Sequence, residues 1–233
     1  MILPVALLSA CFLISASLGP EVVPEEEVPT TPLPNINNQT SSKTETIDFP
    51  DPCSQGHYDY LVLREMQLPG LDPFKVVCFS HLNEGISGWL NVYYNRHSDK
   101  PIFNRTYEDY ERGFGNVDIN YFDEFFIGLN RLHHLTSGKP FKVILNTHPG
   151  TRICDHFVVG DRSEGYKVKN IGNCTGADVW ILPKQGTKFS TFDQDEDGVP
   201  DRNLAKEEGY GWWFDPSMRP ERYTIGVYIK RTD

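Results

Sequence analysis

The chain has 233 residues, 23% of them charged and 39% hydrophobic, with a formal net charge of −10 at pH 7. That length fits one globular domain carrying extensions. An acidic balance without a Lys/Arg cluster excludes binding that rests on positive charge, whether to nucleic acid or to an anionic membrane surface.

Residues 2–18 are apolar or small and uncharged, interrupted by Pro4. Such a run is short for a bilayer span. Ser15 and Ser17 offer a cleavage site near Ser17 or Gly19, so residues 1–18 are expected to be a signal peptide. No later apolar run exceeds a strand's length, and no membrane insertion is expected. Residues 19–48 are rich in Pro, Glu, Thr, Ser and Asn, which predicts a disordered or extended tail. The tail holds neither Gly-X-Y repeats nor apolar heptads that would drive assembly. Removing the leader removes Cys11 and leaves Cys53, Cys78, Cys154 and Cys174. An even count in a secreted chain points to disulfides, with three pairings open. Cys53–Cys78 with Cys154–Cys174 is favoured, because each closes a short loop between strand-like segments. Zinc is the competing use, but no C-x-x-C pair is present. Glycosylation sequons stand at Asn38, Asn104 and Asn173, the last with Cys174 at its middle position.

From residue 49 to 233 the text reads as globular. Tyr58–Leu63 and Phe74–Phe79 read as strands around a turn at Pro69-Gly70, followed by an aromatic strand, Gly88–Arg96. Thr106 suits the cap of a short helix, Tyr107–Arg112, which Gly113 ends with a left-handed turn. Phe122–Ile127 is apolar. Leu129, Leu132 and Leu135 at helical spacing then lead to a stop at Gly138. Lys142–Asn146, His156–Val159, Tyr166–Asn170 and Tyr223–Arg231 are further strand candidates. Many short strands with two short helices predict an α+β fold, predominantly β.

The run Phe189–Phe214 carries the chemistry. Its first four residues read as a strand. Asp193, Asp195 and Asp197 alternate, followed by Gly198, Val199 and Asp201. Alternating carboxylates before a glycine turn suit a hard cation such as calcium, which takes six to eight oxygens from side chains and carbonyls. The plainer reading is an acidic surface turn. The spacing matches positions one, three, five, six and nine of an EF-hand loop, but Leu204 stands where position twelve needs Glu. It also resembles one thrombospondin type 3 unit, which occurs in arrays that this chain lacks.

A wider match reaches outside the loop. Pro50-Asp51-Pro52-Cys53 with Phe74-Lys75-Val76-Val77-Cys78 is similar to the first disulfide hairpin of fibrinogen C-terminal domains. Gly88-Trp89, Phe103-Asn104-Arg105, Asp109-Tyr110 and Gly113-Phe114-Gly115-Asn116 follow in that family's order. So do Glu124–Leu129, Leu132-His133, Leu135-Thr136 and Phe157–Gly160. Phe189–Asp197, Asn203, Ala205 and Gly211-Trp212-Trp213-Phe214 resemble its calcium loop and the segment after it. The chain is identified as a divergent member of the fibrinogen-related family over about residues 50–233. The resemblance implies calcium held by side chains of Asp195 and Asp197 and carbonyls of Val199 and Asp201, with Asp193 supporting the loop from outside. It implies a ligand pocket beside Asn203 and Leu204, walled by Tyr210, Trp212, Trp213 and Phe214. The same four aromatics equally suit core packing against the loop. The chain departs from the family in four places, one being a calcium loop longer by one residue than the usual spacing. Leu204 and Ser217 replace the cysteines of the second family disulfide. Met218 stands where a pocket histidine often follows, and the C-terminal binding segment is shortened.

No HExxH, GxSxG or P-loop motif occurs. His133 and His134 are adjacent and face different ways on a helix, His148 and His156 stand apart, and Glu207-Glu208 read as a solvated patch. A non-catalytic protein is expected. The resemblance implies a secreted, calcium-stabilised, lectin-like protein that binds acetylated glycans in innate immunity. The alternative partner is an extracellular protein receptor or matrix component, with the acetyl pocket lost. A third possibility is a scaffold without the pocket.

Overall fold

The computed structural model describes residues 49–53, 60–81, 86–98, 100–120, 123–148, 150–219 and 223–233. The expected leader 1–18, the tail 19–48 with Asn38, and the first residues of the Tyr58 strand lie outside the described residues. So does Phe122.

Strands β1 (Tyr60–Met66), β2 (Phe74–His81) and β3 (Ile86–Asn95) form an antiparallel meander. Helix α1 (Tyr107–Arg112) and the two-residue strands β4 (Phe114–Gly115) and β5 (Phe125–Phe126) follow, β5 pairing with both β3 and β4. Next come helix α2 (Leu129–Gly138), β6 (Phe141–Thr147) and β7 (Gly150–Cys154). A small pair, β8 (Val158–Val159) with β9 (Val168–Asn170), stands apart from the main sheet. Strand β10 (Cys174–Gly176), helix α3 (Leu204–Glu208) and β11 (Ile225–Arg231) complete the chain. The main sheet runs β1-β2-β3-β11-β6-β7-β10, so the last long strand enters between β3 and β6. The class is α+β and mostly β, as the pattern predicts.

Alternation explains why β11 takes the centre. Ile225, Val227 and Ile229 are buried on one face, beside Val143 and Leu145 of β6. Gly226 and Tyr228 point to the other face, opposite Tyr94 and Asn91 of β3. Ile144 shares that second face and is nevertheless 6% exposed, while Tyr94 and Tyr228 on it are half-buried. Helix α2 buries Leu129, Leu132 and Leu135, the stripe read from the sequence. It is tied to β8 by Thr136, whose hydroxyl accepts from Val159 N at 3.0 Å while donating to Leu132 O at 2.9 Å.

Cys53 joins Cys78, and Cys154 joins Cys174, which lies directly opposite it in the β7–β10 register. Three local expectations need correction. Phe189–Phe192 makes only isolated bridges, Ser190 to Trp212 and Thr191 to Gln194. Phe189, Ser190 and Thr191 are all buried, yet no continuous ladder of backbone pairs forms along the run. Helix α3 was not expected, since five residues are too few to show a periodic pattern. Gly113 ends α1 at φ 87, ψ 157, a positive-φ extended conformation and not the left-handed helical one.

A Cβ on Gly113 would stand 2.5 Å from Ile127 O. Gly113→Ala therefore combines backbone strain with a backbone clash, and is expected to cost roughly 2–4 kcal/mol. Thermal unfolding should show Tm lowered by about 5–10 °C.

Candidate functional site

The acidic run folds into a loop whose carboxylates bind backbone first. Asp193 Oδ1 accepts from Tyr107 N at 3.0 Å and from Thr191 Oγ1 at 2.7 Å. With Thr106 Oγ1 accepting from Asp109 N, it satisfies the first turn of α1. Asp193 thus ties the loop to α1. Asp195 Oδ1 accepts from Asp197 N at 3.3 Å. Asp197 is 2% exposed; its Oδ1 accepts from Val199 N and its Oδ2 from Leu204 N, both at 2.7 Å.

Among the described residues no Lys or Arg forms an ion pair with Asp195 or Asp197. Burial, and then the neighbouring Asp197 charge, push the Asp195 carboxyl above its ordinary range despite the bond from Asp197 N. Arg202 attracts Asp197 from beyond ion-pair distance, but two adjacent carboxylates, one of them buried, without a directly paired cation are a costly arrangement. A hard cation would relieve it. Among the described residues no three His, Cys, Asp or Glu side chains converge on a possible metal position. A cation here would therefore need backbone carbonyls for its remaining donors. Val199 and Asp201 are in the loop that could supply them, which turns at Gly198 (φ 75) and Asp201 (φ 62). The donor set fits calcium better than a metal that demands nitrogen or sulfur.

Beside this loop lies a cleft of about 480 Å³. Val199, Leu204 and Met218 give it apolar surface, and Arg202, Glu208 and Arg219 line it with charge. The Arg202 guanidinium pairs with Glu207. Arg219 Nη1 donates to the carbonyls of Met218 at 2.8 Å and Pro216 at 3.2 Å. A smaller pocket of about 180 Å³ lies against the other end of α3 and includes His97, Asn104 and Tyr210.

The expected aromatic wall is not open to a ligand. Trp212 and Phe214 are 0% exposed, and Trp213 and Tyr210 are 2% exposed. Trp212 Nε1 donates to Ile181 O at 3.0 Å and Trp213 Nε1 to Tyr166 O at 2.7 Å. These rings are core, and the ligand-contact reading of Trp212, Trp213 and Phe214 is corrected accordingly. Tyr210 borders only the smaller pocket. Asn203 caps α3, its Oδ1 accepting from Lys206 N at 2.7 Å and its Nδ2 donating to Thr191 O at 3.0 Å. Of the six expected pocket residues, Leu204 is the one that lines the larger cleft.

Ser217, in the place of a family cysteine, belongs to a contact that sequence reasoning missed. Lys184 Nζ reaches Asp215 Oδ1 at 2.8 Å and also donates to Ser217 Oγ. Ser217 Oγ and N donate to the same Asp215 oxygen at 2.6 and 2.8 Å. This tie holds the turn leading to Met218 and Arg219. Among the described residues three of the histidines singled out in the sequence have separate partners: His133 Nδ1 meets Val159 O, His134 Nδ1 meets Asn130 O, and His156 pairs with Asp155. Asn104 is exposed, while the Asn173 side chain reaches Asp155 Oδ2 at 3.4 Å.

A sheet closed by its last strand between β3 and β6, with an acidic loop against a buried Trp-Trp-Phe run, is the architecture of the fibrinogen-like globe. The structure matches the globe domain of human ANGPTL6 with TM-score 0.63, at 18% identity over 76% of this chain and 91% of that one. It matches that of human ANGPTL2 with TM-score 0.61, at 20% identity over 75% and 94%. The lamprey fibrin D-dimer, solved with the peptide Gly-His-Arg-Pro-amide, matches with TM-score 0.59 at 16% identity over 74% and 70%. At these identities the likeness establishes fold alone.

The family of fibrinogen beta and gamma chains, C-terminal globular domain, matches residues 57–232, and this chain belongs to it. Human fibrinogen-like protein 1 is 30% identical over 191 residues, 73% of this chain and 58% of that protein. The human fibrinogen alpha chain is 34% identical over 164 residues, 64% and 18%. The chain thus spans a little over half of one relative and under a fifth of the other.

The Lys184 tie sets a pH-dependent expectation. Burial raises the Asp215 carboxyl, but Lys184 and Ser217 outweigh it and hold the group below its ordinary range. A depressed carboxylate stabilises the fold above its unfolded pKa, about 3.9, and loses that contribution as pH falls through the folded value. Because the Lys184 end is largely exposed, Lys184→Met should cost about 1 kcal/mol. Melting at pH 7 should fall by about 2–4 °C, and the gap from wild type should close in strong acid.

Proposed function

We propose that this domain is a secreted, non-catalytic, calcium-stabilised recognition module whose ligand enters the cleft beside Val199 and Leu204. The observation that carries the reading is Asp197. Its buried carboxylate forms no ion pair with Lys or Arg among the described residues, and its two oxygens hold Val199 N and Leu204 N, both from cleft-lining residues. A cation bound by Asp195 and Asp197, with carbonyls of Val199 and Asp201, would stiffen the cleft wall directly. Acetylated glycans of the kind bound in innate immunity are the first ligand class for this cleft. The lamprey fibrin structure, solved with a short peptide, supports ligand binding by this fold.

A second reading is favoured by one specific observation. Trp212, Trp213 and Phe214 are buried, so they offer no open aromatic face for a sugar ring to stack on. The cleft then suits an extracellular protein, a receptor or matrix partner, whose side chain would fill the apolar floor between Leu204 and Met218. The two disulfides are consistent with an extracellular setting. Among the described residues no helix is long and apolar enough to cross a membrane.

Calcium is expected to raise Tm, by about 5–10 °C when saturating, and a chelator to reverse the shift. Asp195→Ala with Asp197→Ala should abolish the shift, and Asp195→Asn, which disturbs the backbone bonds less, should weaken it. An undiminished shift in both variants would overturn the metal assignment. Retention on an acetyl-sugar resin in calcium, released by chelator, would support the lectin reading. A calcium shift without retention would favour the protein partner.

A further inference from the structure

We propose a second binding site for a neutral carbohydrate on the face of the central sheet, separate from the calcium-loop cleft. It consists of a groove of about 320 Å³ that contains Gly226 of β11 and is bounded by Tyr94, Tyr228, Asn146, Thr151 and Thr224. Register places these side chains together. Gly226 lies opposite Tyr94 of β3 on one side and Asn146 of β6 on the other, and Asn146 lies opposite Thr151 of β7. A Cβ on Gly226 would stand 2.9 Å from the Tyr228 ring, so glycine keeps the floor low between the two tyrosines.

Tyr94 and Tyr228 also line a narrower recess of about 40 Å³ that includes Asn91 and Phe79. The Phe79 and Tyr228 rings pack at 5.3 Å. Asn91 is 5% exposed, and its Oδ1 is buried without a hydrogen-bond partner among the described residues. A buried acceptor of this kind is rare and costly unless something supplies a donor. Asp118 and Asp123 also line the recess.

Three features select the ligand. No Lys, Arg, Asp or Glu is among the groove's described lining residues; His148, whose ring meets Tyr223 at 6.2 Å, is the imidazole that lines it, so no permanently charged side chain selects for a charged ligand. The recess adds acceptors and negative charge, which disfavour an anion and suit a ligand rich in hydroxyl or amide N–H donors. Two tyrosines beside amide and hydroxyl side chains supply apolar ring faces together with hydrogen bonds, the mixture a pyranose presents in return. The Asn91 oxygen is the acceptor for a donor that enters the recess.

The test is saturation-transfer NMR on the full-length protein with methyl glycosides of glucose, galactose, mannose and N-acetylglucosamine. Methyl glucuronide serves as the acidic comparator, and excess chelator is present throughout. At least one neutral glycoside is expected to bind in the millimolar range, the order for so small a ligand, and the glucuronide at least tenfold more weakly. Thr151→Trp, at an exposed strand position, should fill the groove and remove binding. Asn91→Leu should weaken it about tenfold while Arg219→Ala leaves it unchanged, with thermal melts confirming folding. Transfer to no neutral glycoside, or undiminished transfer in folded Thr151→Trp, would overturn the site. Chelator separates the two sites: sugar bound in the calcium-loop cleft would be released, whereas sugar on the sheet face would stay.

Discussion

The carboxylate of Asp197 is almost wholly removed from water and directs its two oxygens to the backbone N–H groups of Val199 and Leu204. A buried charge needs such bonds and a counter-charge, and among the described side chains Arg202, itself paired with Glu207, attracts Asp197 without forming an ion pair with it. The consequences run outward from this point. Leu204 N belongs to the first turn of α3, so the carboxylate helps to start that helix. Leu204 and Val199 line the cleft, so its geometry depends on the charge balance of the loop. Asp193 carries the same logic in the other direction by accepting from Tyr107 N, which joins the loop to α1. One short acidic stretch thus organises two helices and one cleft.

The family resemblance sets Leu204 and Ser217 at the cysteine positions of a further disulfide, and neither side chain can form one. Leu204 instead turns its side chain into the apolar floor, and Ser217 joins Lys184 on Asp215. An exposed ammonium on a buried carboxylate is a far softer link than a disulfide, and it responds to pH. The cleft wall carrying Pro216 and Met218 is therefore held by ionic and polar contacts on one side and by loop chemistry on the other.

Aromatic residues divide between two jobs according to where the chain places them. Trp212, Trp213 and Phe214 pack behind the loop, with indole donors bonded to Ile181 O and Tyr166 O, and their value lies in stability. Tyr94 and Tyr228 sit on the opposite face of a sheet whose Val227 and Ile225 belong to the core, and they remain partly accessible. The distinction follows from strand alternation around Gly226. A side chain at that position would close the space that the two rings border.

Much of the architecture was legible in residue order. The apolar and aromatic runs of β2, β3, β6 and β11, the leucine stripe of α2 and the Thr106 cap are local patterns, and the backbone answers them locally. The acidic loop was legible too, because its Asp spacing and Gly198 turn are contiguous. Other features were not. Phe189–Phe192 looked like a strand, but buried residues on consecutive positions follow from packing on all sides. The four aromatics from Tyr210 to Phe214 could equally have lined a pocket, and only the positions of Ile181 and Tyr166, distant in sequence, decided for the core. Lys184 meets Asp215, and Asn91 meets Tyr228, across separations that no local pattern encodes. The sequence by itself determined the family, the strand and helix periods and the composition of the acidic loop, since these depend on neighbours along the chain. The open cleft, the buried aromatics and the groove on the sheet face were decided by the tertiary structure, because burial depends on neighbours in space.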